Sequence, residues 1–114
     1  MNNYINIDTV QLAEILKHKK VLILDVRKNE DFKTGHIKNA KNYDLESLES
    51  KINQLKPYRR YEVVVYCTSG VKSINASMIL CKNGFTKVYN LVGGISKYNG
   101  DIVESKAVKK WGCE

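Results

Sequence analysis

The sequence has few of the residues that mark exported, disulfide-bonded or membrane proteins. Its 114 residues include three cysteines and a single proline. No apolar run approaches the ~18 residues that a membrane-spanning helix needs, so no membrane contact is expected. The beginning of the chain, Met1-Asn2-Asn3-Tyr4, lacks the basic region and the apolar stretch of a secretory signal. These absences predict a cytoplasmic location, and the odd number of cysteines agrees with a reducing compartment.

Side chains that bind metals are also sparse and dispersed. His18, His36 and the three cysteines show none of the paired spacing that a zinc site needs. We therefore expect no bound metal.

Basic residues outnumber acidic ones by 19 to 12, which gives a formal net charge of +7. The basic residues are spread among the acids, without the interleaved aromatic residues that accompany binding of single-stranded nucleic acid. We therefore expect no nucleic-acid partner. A positive field of this kind favours small anionic substrates, and salt would screen it.

Apolar patterns predict strands that alternate with helices. The aliphatic runs 21–26 and 62–66 are typical of strands covered on both faces. Asp8 and Asp44 stand where a helix N-cap is expected, and Gln11 is placed to form a capping box with Asp8. This alternation predicts right-handed crossovers and an α/β fold: a parallel five-stranded sheet with helices on both faces, in one domain over residues 1–114. The predicted strands are 4–7, 21–26, 40–43, 62–66 and 87–91. Four helices are predicted: one that begins after Asp8, one from Asp44 to Pro57, one from Ser73 to Asn83 and a short one around Ile95 to Tyr98. The segment 25–31 is expected to be a loop.

The segment after the strand 62–66 carries the most informative residues, because ligands of open parallel sheets bind beyond the carboxyl ends of the strands. Cys67 opens this segment, which continues to Ser73 and into the next predicted helix. Backbone N–H groups in such a loop can surround an anion at the positive end of the helix. A thiol in this position is expected to be acidified, so that far more of it is thiolate at pH 7 than the roughly 3% of a free cysteine.

Four motifs resemble those of single-domain rhodaneses, the sulfurtransferases that carry sulfur as a cysteine persulfide. The loop Cys67-Thr68-Ser69-Gly70-Val71-Lys72-Ser73 is similar to the family pattern of Cys, two residues, Gly, one residue, a basic residue and Ser. The other three motifs are Leu24-Asp25-Val26-Arg27, Gly35-His36-Ile37-Lys38-Asn39-Ala40 and Leu91-Val92-Gly93-Gly94-Ile95. Their order and separations fit the family over about residues 4–100, which leaves 101–114 as a C-terminal extension.

The resemblance implies a role for each residue of the Cys67 loop. Cys67 would take the outer sulfur of a small anionic donor such as thiosulfate, and would pass it to cyanide in an assay or to a thiol or protein cysteine in the cell. This is covalent catalysis that needs no cofactor. Many single-domain relatives have Arg where this chain has Lys72, which keeps the charge but loses the planar two-pronged donor, so the preferred sulfur donor stays open. The substrate-binding residues implied are Thr68, Ser69, Gly70, Val71, Lys72 and Ser73.

Asp25, Arg27 and His36 are candidates for shaping the site. An internal ion pair is favoured for Asp25 and Arg27, and a structural hydrogen bond is favoured over general-base chemistry for His36. Cys81 falls on the apolar face of its helix, which favours core packing. Cys113 is a candidate sulfur acceptor or disulfide partner, with a surface thiol as the plainer interpretation.

Alternatives to sulfur transfer stay open for Cys67 itself. It can be a buried structural thiol, or it can belong to a protein-binding or sulfur-relay module that has little turnover of its own. A redox protein that pairs Cys67 with Cys113 is a third possibility. A cysteine-dependent phosphatase is disfavoured, because such enzymes have Arg at the position that Ser73 occupies here.

Overall fold

The computed structural model describes residues 3–105. Within them, no helix is long and apolar enough to cross a membrane. The strands are β1 Ile5–Ile7, β2 Val21–Asp25, β3 His36–Ile37, β4 Lys41–Asn42, β5 Glu62–Tyr66, β6 Lys87–Leu91 and β7 Ile102–Val103. The helices are α1 Thr9–Ile15, α2 Asn29–Thr34, α3 Leu45–Leu48 and α4 Lys72–Lys82, together with 3₁₀ helices over Glu49–Tyr58 and Gly94–Lys97.

One parallel sheet of five strands, in the order β1-β6-β5-β2-β4, forms the framework of the molecule. The central strand β5 pairs with β2 on one side and with β6 on the other. This confirms the predicted α/β fold. Since these strands run in the same direction, Val26 after β2 and Cys67 after β5 lie at the same edge of the sheet.

The sheet separates two apolar clusters. Val63 and Val65 of β5 pack in one cluster with Leu80 of α4, whereas Val64 packs in the other with Leu12 of α1. The three valines and both leucines are 0% exposed. Burial on both faces explains why the sequence of β5 is a continuous apolar run rather than an alternating one.

The N-caps predicted for two helices are present. Asp8 Oδ1 accepts the backbone N–H of Gln11 at 2.8 Å, and Gln11 Oε1 accepts that of Asp8 at 2.9 Å. Asp44 Oδ1 accepts the backbone N–H of Ser47 at 3.1 Å. Each cap therefore satisfies N–H groups that have no partner within the helix.

Three short elements were not predicted from the sequence. Helix α2 lies partly within the segment 25–31 that was expected to be a loop; it has six residues and none of them is buried, so it has no apolar periodicity. Strands β3 and β7 pair antiparallel over two residues each, Ile37 with Ile102 and His36 with Val103. The beginning of the expected C-terminal extension is therefore part of the fold.

The segment after Asp44 is helical as predicted, but most of it is a different kind of helix. Only Leu45–Leu48 is α-helical, and a 3₁₀ helix continues to Tyr58. Pro57 lies inside this helix rather than ending it, so the predicted end is wrong by one residue. The apolar residues of the segment recur at intervals of three and four, which do not distinguish the two helix types.

A glycine in the turn after β6 supports the Cys67 loop. Gly94 has a φ of +58°, and a Cβ there would fall against the backbone carbonyl oxygens of Cys67 and Thr68. The same two oxygens accept the N–H groups of Ile95 at 3.0 Å and Ser96 at 3.1 Å. Gly94 thus allows the start of the last 3₁₀ helix to pack directly on the loop that holds the cysteine.

We expect Gly94→Ala to destabilise the protein by about 2–4 kcal/mol, because it combines a left-handed backbone with a steric clash. Gly84→Ala is the matched control: its φ is +91°, but the nearest atoms to a Cβ there lie 3.6 Å away on the Arg59 side chain. The control should cost only about 1 kcal/mol. Urea unfolding of both variants measures the difference, and equal losses would show that the contact with the Cys67 loop is not tight.

Candidate active site

Cys67 lies between the central strand β5 and helix α4, and the residue is 2% exposed. Its Sγ atom accepts the backbone N–H of Gly70 at 3.2 Å and that of Ser73 at 3.3 Å. The sulfur also lies 3.5 Å from Ser73 Oγ, to which the thiol can donate. Since Ser73 is in the first turn of α4, these contacts place the sulfur at the positive end of that helix.

The hydrogen bonds to the sulfur decide its acidity. Burial raises the pKa of the Cys67 thiol, because a thiolate is poorly solvated away from water. The hydrogen bond with the Ser73 hydroxyl, and those from the backbones of Ser73, Gly70 and Ser69, lower it by more, so the net pKa lies below its ordinary value. The direction is the one expected from the position of the loop, and it increases the thiolate fraction at neutral pH.

A cleft of about 750 Å³ opens beside the sulfur, and Cys67 forms part of its lining. Gly70 and Ser73 are not among the lining residues. Ser73 is 0% exposed and contacts the sulfur from inside the protein. The implied substrate-binding residues that do line the cleft are Thr68, Ser69, Val71 and Lys72, and the rest of the lining is Val26, Arg27, Lys28, Asp31, Asp44, Leu45 and Glu46.

Charges of both signs line this cleft. Lys28 and Lys72 are exposed, and within residues 3–105 neither forms a salt bridge. Hydrogen bonding to Ser47 lowers the pKa of the Asp44 carboxyl below its ordinary value, so this carboxyl stays ionised at neutral pH. A ligand in the cleft therefore meets both lysine ammonium groups and carboxylates.

Asp25 and Arg27 form the ion pair that the sequence favours. Arg27 Nη2 lies 2.7 Å from Asp25 Oδ2, and the two side chains are 10% and 0% exposed. Arg27 Nη2 also donates to the carbonyl of Gly35 at 2.6 Å. The Arg27 guanidinium lies 5.7 Å from the centre of the Tyr66 ring. Because its charge is compensated by Asp25, Arg27 holds the wall of the cleft and leaves the two lysines as the exposed cations.

His36 is not one of the residues that line the cleft. Its ring stacks on Phe32 with the centroids 3.7 Å apart, and its Nδ1 lies 2.8 Å from the Phe32 carbonyl oxygen. The residue is 8% exposed. These contacts join α2 to β3, which is the structural kind of role that the sequence favours for this histidine.

The other candidate thiols differ from Cys67. Cys81 is partly buried and packs against the core, and burial raises its pKa, so it is less reactive than an acidified thiol. Cys113 lies outside the described residues. Within residues 3–105, no group of three or more His, Cys, Asp or Glu side chains is placed to hold a metal ion.

Two asparagines that sequence analysis did not single out lie behind the sulfur. Ser73 Oγ donates to Asn90 Oδ1, and Asn90 Nδ2 donates to Asn6 Oδ1 at 3.0 Å. Asn90 is 1% exposed although it lies in the strand β6. The available signal was an amide between Tyr89 and Leu91 in a predicted strand, but the sequence does not show which strand neighbour or loop it would contact.

Comparison with known proteins identifies a domain family that the sequence of this chain matches. The family model described as Rhodanese-like domain matches residues 8–101. The chain is 36% identical over 99 residues to the thiosulfate sulfurtransferase GlpE of Shewanella oneidensis, a match that covers 87% of this chain and 96% of that protein.

The chain is also 42% identical over 81 residues to a tRNA uridine(34) hydroxylase of Cytophaga hutchinsonii. That match covers 68% of this chain but only 26% of the hydroxylase. Among solved structures, a rhodanese with anions from E. coli superposes with a TM-score of 0.67 and 29% identity, over 75% of this chain and 99% of that one.

We expect the alkylation rate of Cys67 to rise with pH and to reach half of its maximum at a pH below the ~8.5 of a free thiol. The hydrogen bonds to the sulfur favour the thiolate, so the thiolate persists to lower pH. Peptide mass spectrometry after timed iodoacetamide treatment follows Cys67 and Cys81 in one sample, and Cys81 should show the higher midpoint. A midpoint for Cys67 at or above that of a free thiol would contradict the account of its acidity.

Proposed function

The chain belongs to the rhodanese-like domain family, and we propose that it is a sulfurtransferase in which Cys67 carries sulfur as a persulfide. The observation that carries the proposal is the sulfur of Cys67, which accepts two backbone N–H groups beside an open cleft. Support comes from the GlpE sulfurtransferase, which this chain matches over 96% of that protein's length.

The first half of the reaction loads the cysteine. The Cys67 thiolate attacks the outer sulfur of thiosulfate and forms a new S–S bond. The bond between that sulfur and the sulfonate breaks, and sulfite leaves with the electron pair. The products are a Cys67 persulfide anion and sulfite, so atoms and electrons balance without a cofactor.

The residues around the sulfur support each stage of this step. The amides of Gly70 and Ser73 stabilise the thiolate before attack, because they donate to a buried anion. Lys72, which lines the cleft and is exposed, is placed to attract the sulfonate of the donor. Since Lys presents a point charge rather than a planar fork, this contact selects for charge more than for shape.

The second half of the reaction discharges the cysteine. A nucleophile attacks the terminal sulfur of the persulfide, and the Cys67 thiolate is the leaving group. A leaving thiol of low pKa leaves faster, so the hydrogen bonds that favour loading also favour release. Cyanide would give thiocyanate in an assay, and a thiol or protein cysteine is the acceptor proposed for the cell.

A sulfur-relay module with little turnover of its own is the second candidate. What favours it is that a similar region forms only 26% of a longer protein whose named activity is different, a tRNA uridine(34) hydroxylase. Such a domain would be loaded once and would then need a partner protein to discharge it. Turnover with a small acceptor separates the two candidates.

Intact mass spectrometry after incubation with excess thiosulfate tests the proposal. We expect the mass to increase by one sulfur atom, about 32 Da, and the increase to disappear when cyanide is added while thiocyanate accumulates over many cycles. A persulfide that forms once but is not turned over by cyanide would favour the relay module.

Three cysteine variants serve as controls for this experiment. Cys67→Ser should abolish loading, whereas Cys81→Ser and Cys113→Ser should load as the parent protein does. Loss of loading in Cys113→Ser would support the redox alternative instead. If the parent protein is loaded neither by thiosulfate nor by a small persulfide donor, the sulfurtransferase proposal is wrong.

A further inference from the structure

Four polar side chains, of which Cys67 is the first, form a line of hydrogen bonds from the active-site sulfur to the edge of the sheet. The Cys67 thiol contacts Ser73 Oγ at 3.5 Å, and Ser73 Oγ donates to Asn90 Oδ1. Asn90 Nδ2 donates to Asn6 Oδ1 at 3.0 Å. Asn6 and Asn90 are register partners in the pairing of β1 with β6, so the line runs from the site to the exposed edge strand.

Burial leaves the inner members of this line few partners. Ser73 and Asn90 are 0% and 1% exposed, so their polar groups must be satisfied inside the protein. The remaining contact of Asn90 is a long one, from Nδ2 to the carbonyl of Gly70 at 3.4 Å. Asn6, by contrast, is exposed, so water can satisfy the polar groups of its side chain that Asn90 does not.

The observed hydrogen bonds suit a protonated thiol. A serine hydroxyl has one proton to donate and can accept at the same oxygen. With the thiol protonated, the S–H donates to Ser73 Oγ and the Ser73 hydroxyl donates to Asn90 Oδ1. When the thiol loses its proton, the sulfur can only accept hydrogen bonds. The Ser73 hydroxyl then stabilises the thiolate most when it donates its proton to the sulfur.

Redirecting that hydroxyl would leave Asn90 Oδ1 without a donor, at a position where an unsatisfied oxygen is costly. We propose that Asn90 is a positioning residue that turns its side-chain amide by half a turn when Cys67 ionises. Asn90 Nδ2 then donates to Ser73 Oγ, and the Ser73 hydroxyl donates to the sulfur. Asn6 turns with it, so that its Nδ2 donates to Asn90 Oδ1.

The reversed arrangement keeps the Ser73–Asn90 and Asn90–Asn6 contacts with the opposite direction of donation. No covalent bond changes except at the sulfur, whose proton goes to solvent, and the contact given up is the long one to Gly70. The inference rests on the proposed function only in that it concerns the same thiolate. The relay would stabilise that thiolate from the side of the sulfur that faces away from the cleft.

A carboxylate at position 6 tests this relay, because it can only accept hydrogen bonds. Asn6→Asp should hold Asn90 with Nδ2 turned outward and so prevent the reversal. We expect the pH midpoint of Cys67 alkylation to rise by about one unit. Asn6→Ser has a hydroxyl that can either accept from Asn90 or donate to it, so it permits both arrangements and should keep the midpoint of the parent protein.

The Ser73→Ala background separates the relay from a simple electrostatic field. If Asn6→Asp acts through Ser73, the rise should be largely lost in that background, whereas a field effect of the new charge would persist. The charged groups that line the cleft beside the sulfur are unchanged in the parent protein and in every variant: Arg27, Lys28, Lys72, Asp31, Asp44 and Glu46. An equal rise in both backgrounds, or no rise in the parent background, would overturn the proposal.

A second readout follows the asparagine itself. The side-chain ¹⁵N and ¹H resonances of Asn90 should shift with the same pH midpoint as Cys67, and should not shift in Cys67→Ser. Resonances that stay constant through the ionisation of Cys67 would also overturn the proposal. Both readouts measure ionisation rather than sulfur transfer, so a failure to load thiosulfate would leave this test intact.

Discussion

Two backbone N–H groups on one sulfur atom are the contact on which the rest of the site depends. They come from Gly70, in the short connection between β5 and α4, and from Ser73, in the first turn of α4. The connection keeps this shape because the turn after β6 packs on it: the N–H of Ile95 donates to the Cys67 carbonyl at 3.0 Å. The parallel sheet thus brings two strand ends together, and their loops jointly fix the sulfur.

Burial usually raises the pKa of a cysteine and so makes it less reactive, but the two cysteines Cys67 and Cys81 differ in this respect. Cys81 has only burial, which raises its pKa. Cys67 is more deeply buried as a residue, yet its pKa is lowered because hydrogen bonds outweigh the loss of solvation. Since one unit of pKa corresponds to about 1.4 kcal/mol, a few well-placed donors are enough to reverse the order of the two thiols. The sulfur transfer that we propose needs this reversal, because the same thiolate would first attack and later leave.

The sequence was sufficient for the parts of the fold that bury apolar side chains. The runs that became β2 and β5 were recognisable because strands covered on both faces have a distinct composition. The segment from Cys67 to Ser73 was recognisable because it follows such a strand, where open parallel sheets bind ligands, and because its residues resemble a family motif. Helix α2 buries no residue, and β3 and β7 have two residues each. None of the three therefore has a detectable periodicity of apolar residues. Asn90 was missed because its partners come from α4, from the loop after β5 and from β1, and only the strand order brings these segments together.

The amide protons of Gly70 and Ser73 provide the most direct test of the central claim. If these groups hold the sulfur, their ¹H shifts should move downfield together as the pH is raised, with one midpoint below the ~8.5 of a free thiol. The movement should be absent in Cys67→Ser. Amide shifts that are independent of pH, or that follow different midpoints, would contradict the account that backbone donors make Cys67 a thiolate.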